Sequence, residues 1–279
     1  MREIKSEELT SVIKRLCKEA CYYLPRDVRD CIEQNREQEP WAPAREILDK
    51  IITNYHIAEE DSVPICQDTG VACVFLDVGQ DVHIAGNIEE AVNRGVSEGY
   101  TEGFLRKSVV SDPIERKNSG DNTPAMIYYN IVPGDRVTVT VAPKGFGSEN
   151  MSQIKMLKPA DGLEGVKKFI LKVCEDAGPN PCPPVIVGVG IGGTFDKAAY
   201  MAKKALLRPL DQPNPDKFYA DLEEELKEKI NDMGVGPQGF GGKTYALQVN
   251  IEHYATHIAG LPVAVNIQCH VARHKTEVI

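Results

Sequence analysis

The stretch Val185-Ile-Val-Gly-Val-Gly-Ile-Gly-Gly-Thr-Phe-Asp196 reads as a short buried strand, a glycine turn and the start of a helix. It formally matches Gly-x-Gly-x-x-Gly at Gly188, Gly190 and Gly193. A true dinucleotide fingerprint would make the chain a doubly wound α/β protein, but it also needs a second parallel strand ending in an acidic residue about 20 residues on. Here the helix runs instead into Arg208-Pro-Leu-Asp-Gln-Pro213. A nucleotide-binding module at Gly188–Gly193 stays as an alternative, beside a turn that supports an anion or simply packs tightly.

Outward from that stretch, helices and strands do not alternate strictly, which predicts an α+β fold. Leu9, Ile13, Leu16, Cys17 and Ala20, then Ile47, Leu48, Ile51, Ile52 and Tyr55, recur at helical spacing, so residues 6–55 read as helical with a break near Pro40. A further helix is expected from Asn87, capped there with Glu90 completing a capping box, toward Arg106. Val137, Val139 and Val141 alternate with Thr138 and Thr140 as a half-buried strand requires, and a glycine loop follows at 144–148. Val166, Phe169, Ile170, Val173 and Cys174 mark another helix. Asn214, Pro215 and Asp216 read as a cap, a first-turn proline and an acidic first turn of a helix to about Asn231, with Glu223/Lys227 and Glu225/Lys229 pairs that predict a solvated face. After the glycine-rich run 234–242, Leu247, Val249 and Ile251, then Val263, Val265, Ile267 and Cys269, alternate as two more strands.

The chain has 279 residues, enough for a large buried core, and reads as one domain over 1–279 with a helical lead-in to about residue 60. Lys and Arg total 32 against 41 Asp and Glu, a net charge of -9 that argues against a nucleic-acid partner. No signal peptide and no membrane-spanning apolar run are visible, so the expectation is a cytoplasmic protein without a membrane partner. Eight cysteines in such a chain are expected to be reduced, and with no C-x-x-C pair any metal site must be assembled from distant segments.

Sorting the cysteines by local context separates them. Cys174 lies on a regular apolar helical stripe and reads as a small hydrophobe; Cys17 and Cys21, one helical turn apart, read the same way. Cys31 and Cys73 are uninformative. Three others sit in loops or at strand ends: Cys66 in Pro-Ile-Cys-Gln-Asp-Thr-Gly, Cys182 in Asn-Pro-Cys-Pro-Pro and Cys269 in Asn-Ile-Gln-Cys-His. Their polar neighbours Gln67, Asp68, Gln268 and His270 are of the kind that hydrogen-bond sulfur ligands or a substrate. His257 lies in a loop between two expected strands. If 262–269 is extended, His257 stands roughly 20 Å or more from Cys269 of its own chain. Lys243 and Arg106 are the cationic candidates for a carboxylate substrate.

Five segments taken together, Cys-Gln-Asp-Thr-Gly (66–70), Gly-Ser-Glu-Asn-Met-Ser (147–152), Cys-Pro-Pro…Gly-Val-Gly-Ile-Gly-Gly-Thr (182–194), Gly-Phe-Gly-Gly-Lys-Thr (239–244) and Asn-Ile-Gln-Cys-His (266–270), resemble the iron–sulfur (class I) fumarate hydratases and their L-tartrate dehydratase relatives. The resemblance spans essentially the whole chain and matches the α subunit, or the N-terminal half of the fused form. It implies a 4Fe–4S cluster held by Cys66, Cys182 and Cys269, with one uncoordinated iron. It also implies that Gln67, Asp68, Arg106 and the Gly147 loop contact a small dicarboxylate, fumarate or malate, and that His257 reaches the site of an adjacent subunit. Asp68 and His257 are then the catalytic candidates. Fused members continue into a second domain with further arginines, a lysine and a threonine, so the expectation here is a separate β subunit and a dimer of α–β pairs. The expected reaction is reversible hydration of fumarate to L-malate, with L-tartrate dehydration as the nearest alternative.

Overall fold

The computed structural model describes residues 2–279. In chain order its elements are β1 (Arg2–Lys5), α1 (Ser6–Tyr22), α2 (Arg26–Gln38), α3 (Ala42–Asp61), β2 (Val71–Gly79), β3 (Val82–Ala85), α4 (Ile88–Glu102), β4 (Met126–Val132) and β5 (Val137–Lys144). There follow α5 (Phe146–Glu149), β6 (Gln153–Leu157), α6 (Gly162–Ala177), β7 (Val185–Gly192), α7 (Phe195–Ala205), α8 (Lys217–Asn231), β8 (Ala246–Tyr254), β9 (Leu261–Gln268) and β10 (Lys275–Val278). The fold is α+β. The chain divides into two compact units, one of residues 1–25, 55–145 and 273–279, the other of residues 26–54 and 146–272.

In the first unit a sheet of order β10-β5-β2-β4 mixes antiparallel and parallel pairing. Val137, Val139 and Val141 of β5 and Ala72, Val74 and Leu76 of β2 join Leu9, Ile13, Leu16 and Cys17 of α1 and Val92 and Val96 of α4 in one core. Asn87 caps α4 through a bond from the Glu90 amide (3.2 Å), and its own amide donates to the Glu90 carboxylate. This helix stops sooner than the sequence reading had it. Gly103 ends it, Phe104 turns into the left-handed region at φ 51°, and Arg106 lies in the loop beyond.

In the second unit the sheet runs β6-β9-β7-β8, with β7 and β8 parallel and β9 antiparallel to β7. Its apolar side is closed by Val166, Phe169, Ile170 and Val173 of α6 and Leu222, Leu226 and Ile230 of α8. Helix α7 crosses very near β7. A Cβ on Gly188 would stand 2.2 Å from the Ala202 carbonyl oxygen, and one on Gly190 would stand 2.1 Å from that of Ala198. Gly188 and Gly190, two of the three glycines of the apparent fingerprint, therefore lie inside the strand and let helix and sheet touch, so neither cradles a phosphate.

One expectation is corrected at α8. Asp216, not Asn214, caps it, by accepting from the Phe218 amide, and Glu223 does not lie on a solvated face. Glu223 is 3% exposed and meets Arg208, the Asn214 amide (2.9 Å) and the Ile251 N–H (2.6 Å), while Lys227 pairs with Glu224. An i,i+4 charge pattern looks the same in sequence whether its acid faces water or an arginine fifteen residues upstream.

Candidate active site

The Cys66 segment hangs on backbone carbonyls held from below. Tyr100, fully buried, donates its hydroxyl to the Thr69 carbonyl (2.9 Å), and the Asn122 amide donates to that of Gly70 (3.2 Å). Asn122 also accepts from the Ser108 and Val109 amides, tying the same loop to the chain that carries Arg106. The Thr69 hydroxyl accepts from the Arg106 N–H at 2.9 Å. Gly70 has φ 72°, and a Cβ there would lie 2.5 Å from the Lys144 carbonyl carbon, so the turn admits only glycine.

Around this turn the side chains of Cys66, Gln67 and Arg106 line a shallow cleft with Pro64, Thr69 and Phe104. The Cys66 thiol donates to the Gln67 carboxamide oxygen at 3.3 Å. Asp68 accepts from the Gly70 N–H (3.1 Å) and lies against the Gly145 backbone. Two buried cations that sequence reasoning missed stand here: Arg273 donates to the Asp68 carbonyl, and Lys144 Nζ donates to that of Gly145 at 3.3 Å. A charged residue straight after the apolar pair Val271-Ala272 was the available signal for Arg273.

The segments that carry Cys182 and Cys269 meet in the second unit for a topological reason. Because β7 and β9 are antiparallel, with Ile186 opposite Gln268, the chain entering β7 and the chain leaving β9 share one end of the sheet. His270 closes that end: its backbone N–H (3.3 Å) and ring Nδ1 (2.9 Å) both meet the Cys182 carbonyl. Cys182 is exposed and adopts φ 55°, a conformation uncommon for a residue with a Cβ and enriched at functional sites. The Gly147 segment joins the same strand end. Ser148 donates to the Gln268 carboxamide oxygen (3.3 Å), Glu149 accepts from Lys203 Nζ (2.6 Å) and from Asn266 (2.9 Å), and the Ser152 hydroxyl accepts from Asn266 and from the Ile267 N–H.

The Gly239–Thr244 motif is organised by a residue that the sequence reading passed over. Glu39 is 2% exposed, and its carboxylate accepts from the Lys243 and Thr244 amides, the Thr244 hydroxyl (2.6 Å) and the Trp41 N–H. Burial pushes its carboxyl up, but these donors outweigh it and hold the group below the usual glutamate value. Lys243 itself is exposed. His257 stands in the turn between β8 and β9, with its Nδ1 accepting from the Ala259 N–H (3.2 Å). Within this unit it is therefore at the opposite end of β9 from Cys269, as the strand length required.

The thiols divide by environment. Burial pushes Cys174 up to about 12, raises Cys17 well above its ordinary value, and lifts Cys21 to about 11 against the opposing field of Arg273. Cys31 is raised to about 11 by burial as well. Neutral buried thiols are poor ligands. Cys66, Cys182 and Cys269 keep solvent access, and all eight cysteines are free. Among the described residues no three His, Cys, Asp or Glu side chains crowd round a single ion position. Thiolates of a cubane bind separate irons and need not do so. The donor set, three accessible cysteines in polar loops, fits such a cluster. No helix among the described residues is long and apolar enough to cross a membrane.

Comparison with known proteins places the chain in a family. A relative from Methanocaldococcus jannaschii, described as "Putative L(+)-tartrate dehydratase subunit alpha", is 44% identical over 269 residues, 94% of each chain. The L(+)-tartrate dehydratase subunit alpha of Escherichia coli strain K12 is 32% identical over 272 residues, 96% of this chain and 90% of the relative; that of strain UTI89 is 33% identical over 273. The family model described as Fumarate hydratase (Fumerase) matches residues 10–278, and the chain belongs to that family.

Proposed function

We propose that this chain is the α subunit of an iron–sulfur hydro-lyase that hydrates fumarate reversibly to L-malate, working in the cytoplasm with a separate β subunit as a dimer of α–β pairs. The observation that carries the reading is the placing of the thiols: the three cysteines of the family-like motifs keep solvent access in polar loops, Cys182 exposed and in a strained backbone conformation, whereas of the other five only Cys31 is not buried. Cys66, Cys182 and Cys269 would hold a 4Fe–4S cluster, whose iron without a protein thiolate supplies a Lewis acid toward a substrate carboxylate and hydroxyl.

The remaining work falls to side chains. Arg106, exposed on its loop beside Gln67, offers a planar pair of donors to one carboxylate. Gln67 adds an amide donor, and Gly147 a backbone N–H. Asp68, with its carboxylate oriented by the Gly70 N–H, and His257 of a neighbouring copy take the proton-transfer roles. Cations of the β subunit complete the charge balance on the dicarboxylate.

A second reading is favoured by the relatives' names: the same elimination on L(+)-tartrate. Comparing kcat/KM for fumarate and L(+)-tartrate decides between them. The test of both is anaerobic co-purification with a candidate β chain, then iron, sulfide and turnover assays. Replacing Cys66, Cys182 and Cys269 together by serine is expected to abolish all three signals, and turnover that survived would overturn the assignment. The nucleotide alternative loses its ground, because Gly188 and Gly190 are filled by α7. Saturable NAD binding is not expected.

A further inference from the structure

We propose that Gln238 and His270 form a bracket that fixes the Cys182 and Cys269 segments relative to one another, and so act as positioning residues for the cluster; this rests on the reading that these cysteines ligate it. Gln238 sits in the glycine-rich run to which the function above assigns nothing. Its backbone N–H (2.8 Å) and its side-chain amide (2.6 Å) both donate to the Pro183 carbonyl, and the same amide nitrogen lies 3.2 Å from His270 Nδ1. His270 in turn meets the Cys182 carbonyl through N–H and ring. Gln238 thus holds the residue after Cys182 while its amide packs against the ring of the residue after Cys269, and His270 holds the Cys182 carbonyl from the other side.

The geometry also fixes the ring's proton. If Nδ1 were bare, it and the Cys182 carbonyl oxygen would be two acceptors 2.9 Å apart, a repulsive contact. With Nδ1–H donating to Cys182, the contact becomes an ordinary hydrogen bond; Gln238 keeps its donor on Pro183 and touches the ring without bonding it, so the two side chains grip the two carbonyls of the Cys182-Pro183 pair. Turning the amide over would set two oxygens 2.6 Å apart at Pro183, so the assigned orientation stands. Gln238 holds this pose at φ 52°, and Cys182 its own at φ 55°. Two left-handed non-glycine residues at one strand end are a cost that surrounding bonds must over-determine. Glu39 anchors the other end of the run at Lys243 and Thr244, so the bracket is braced from both sides.

The experiment uses the α–β complex and has two readouts. In the cluster-free complex, hydrogen exchange reports the His270 amide, which the Cys182 carbonyl protects. Q238A is expected to speed that exchange by about tenfold or more, and unchanged exchange overturns the bracket. In the reconstituted complex, iron loss to a chelator is expected to be about tenfold faster in Q238A and H270Q than in the parent. H270N, whose amide nitrogen takes the place of Nδ1–H, is expected to stay within about twofold of the parent on the same scale. Equal loss from H270N and H270Q overturns the tautomer assignment and with it the bracket. Should Q238A fail to fold by its melting curve, the H270N and H270Q pair decides alone. A parent complex that takes up no iron defeats the cluster reading instead, and the exchange result then judges whether the bracket exists.

Discussion

The segments that carry the loop cysteines are held in two different ways. Around Cys66 the carbonyls of Thr69 and Gly70 are gripped by neutral, buried donors, Tyr100 and Asn122, and the turn is sealed by a glycine pressed against β5. Around Cys182 and Cys269 the grip comes from partly exposed side chains, His270 and Gln238, the latter on a run whose far end is fastened by the carboxylate of Glu39. At Thr69 and Gly70 the first arrangement is set by packing and neutral donors, although buried Arg273 and Lys144 hold the flanking Asp68 and Gly145 carbonyls. The second contains an ionised anchor and inherits its pH dependence.

Three substitutions sharpen or break that contrast. Gly70→Ala should act most strongly: the new Cβ meets Lys144 backbone, at a φ where alanine is strained, so a loss on the order of 3–5 kcal/mol or outright misfolding is expected by denaturant titration. A loss below about 1 kcal/mol would mean the turn is plastic and the contrast false. Asn122→Ala strands the Ser108 and Val109 amides and leaves the Gly70 carbonyl only its longer bond from the Tyr100 hydroxyl, for an expected loss of about 2–4 kcal/mol that stays constant between neutral and acid pH. Glu39→Gln should cost about 1–3 kcal/mol at neutral pH, through weakened charge-assisted bonds.

The sign of that last effect follows from the depressed carboxyl. A group whose folded pKa lies below its unfolded value of about 4.3 contributes stability above that value and loses it as pH falls through the folded pKa. The gap between the parent and Glu39→Gln, measured by denaturation at a series of pH values, should therefore close in acid. The Asn122→Ala gap should not, and parallel closure of both would dissolve the distinction.

Much of the frame could be read beforehand. Helices α1, α4, α6 and α8 and strands β5, β8 and β9 carry a periodicity of their own, and β7 a short apolar run between prolines and a glycine turn. Strand β2 escaped because most of it is buried on both sides, which erases alternation, and β10 because its four residues find their place only by pairing with β5 far away in the chain. At the site, residue types in motifs were legible: Cys66, Asp68, Cys182 and Cys269 announce themselves by their neighbours. What groups them was not. That the Cys182 segment meets the Cys269 segment depends on the antiparallel register of β7 and β9, and Glu39, Asn122, Arg273 and Gln238 act through partners that no local pattern names.

The close passage of α7 over β7 carries a warning for anyone scanning this gene by mutation. Swapping Gly188 or Gly190 for a larger residue drives a side chain into the carbonyls of Ala202 or Ala198, and the product should fail as a heat-sensitive, poorly accumulating polypeptide. Such a phenotype imitates the loss of a coenzyme pocket, and it would tell a geneticist about helix clearance alone.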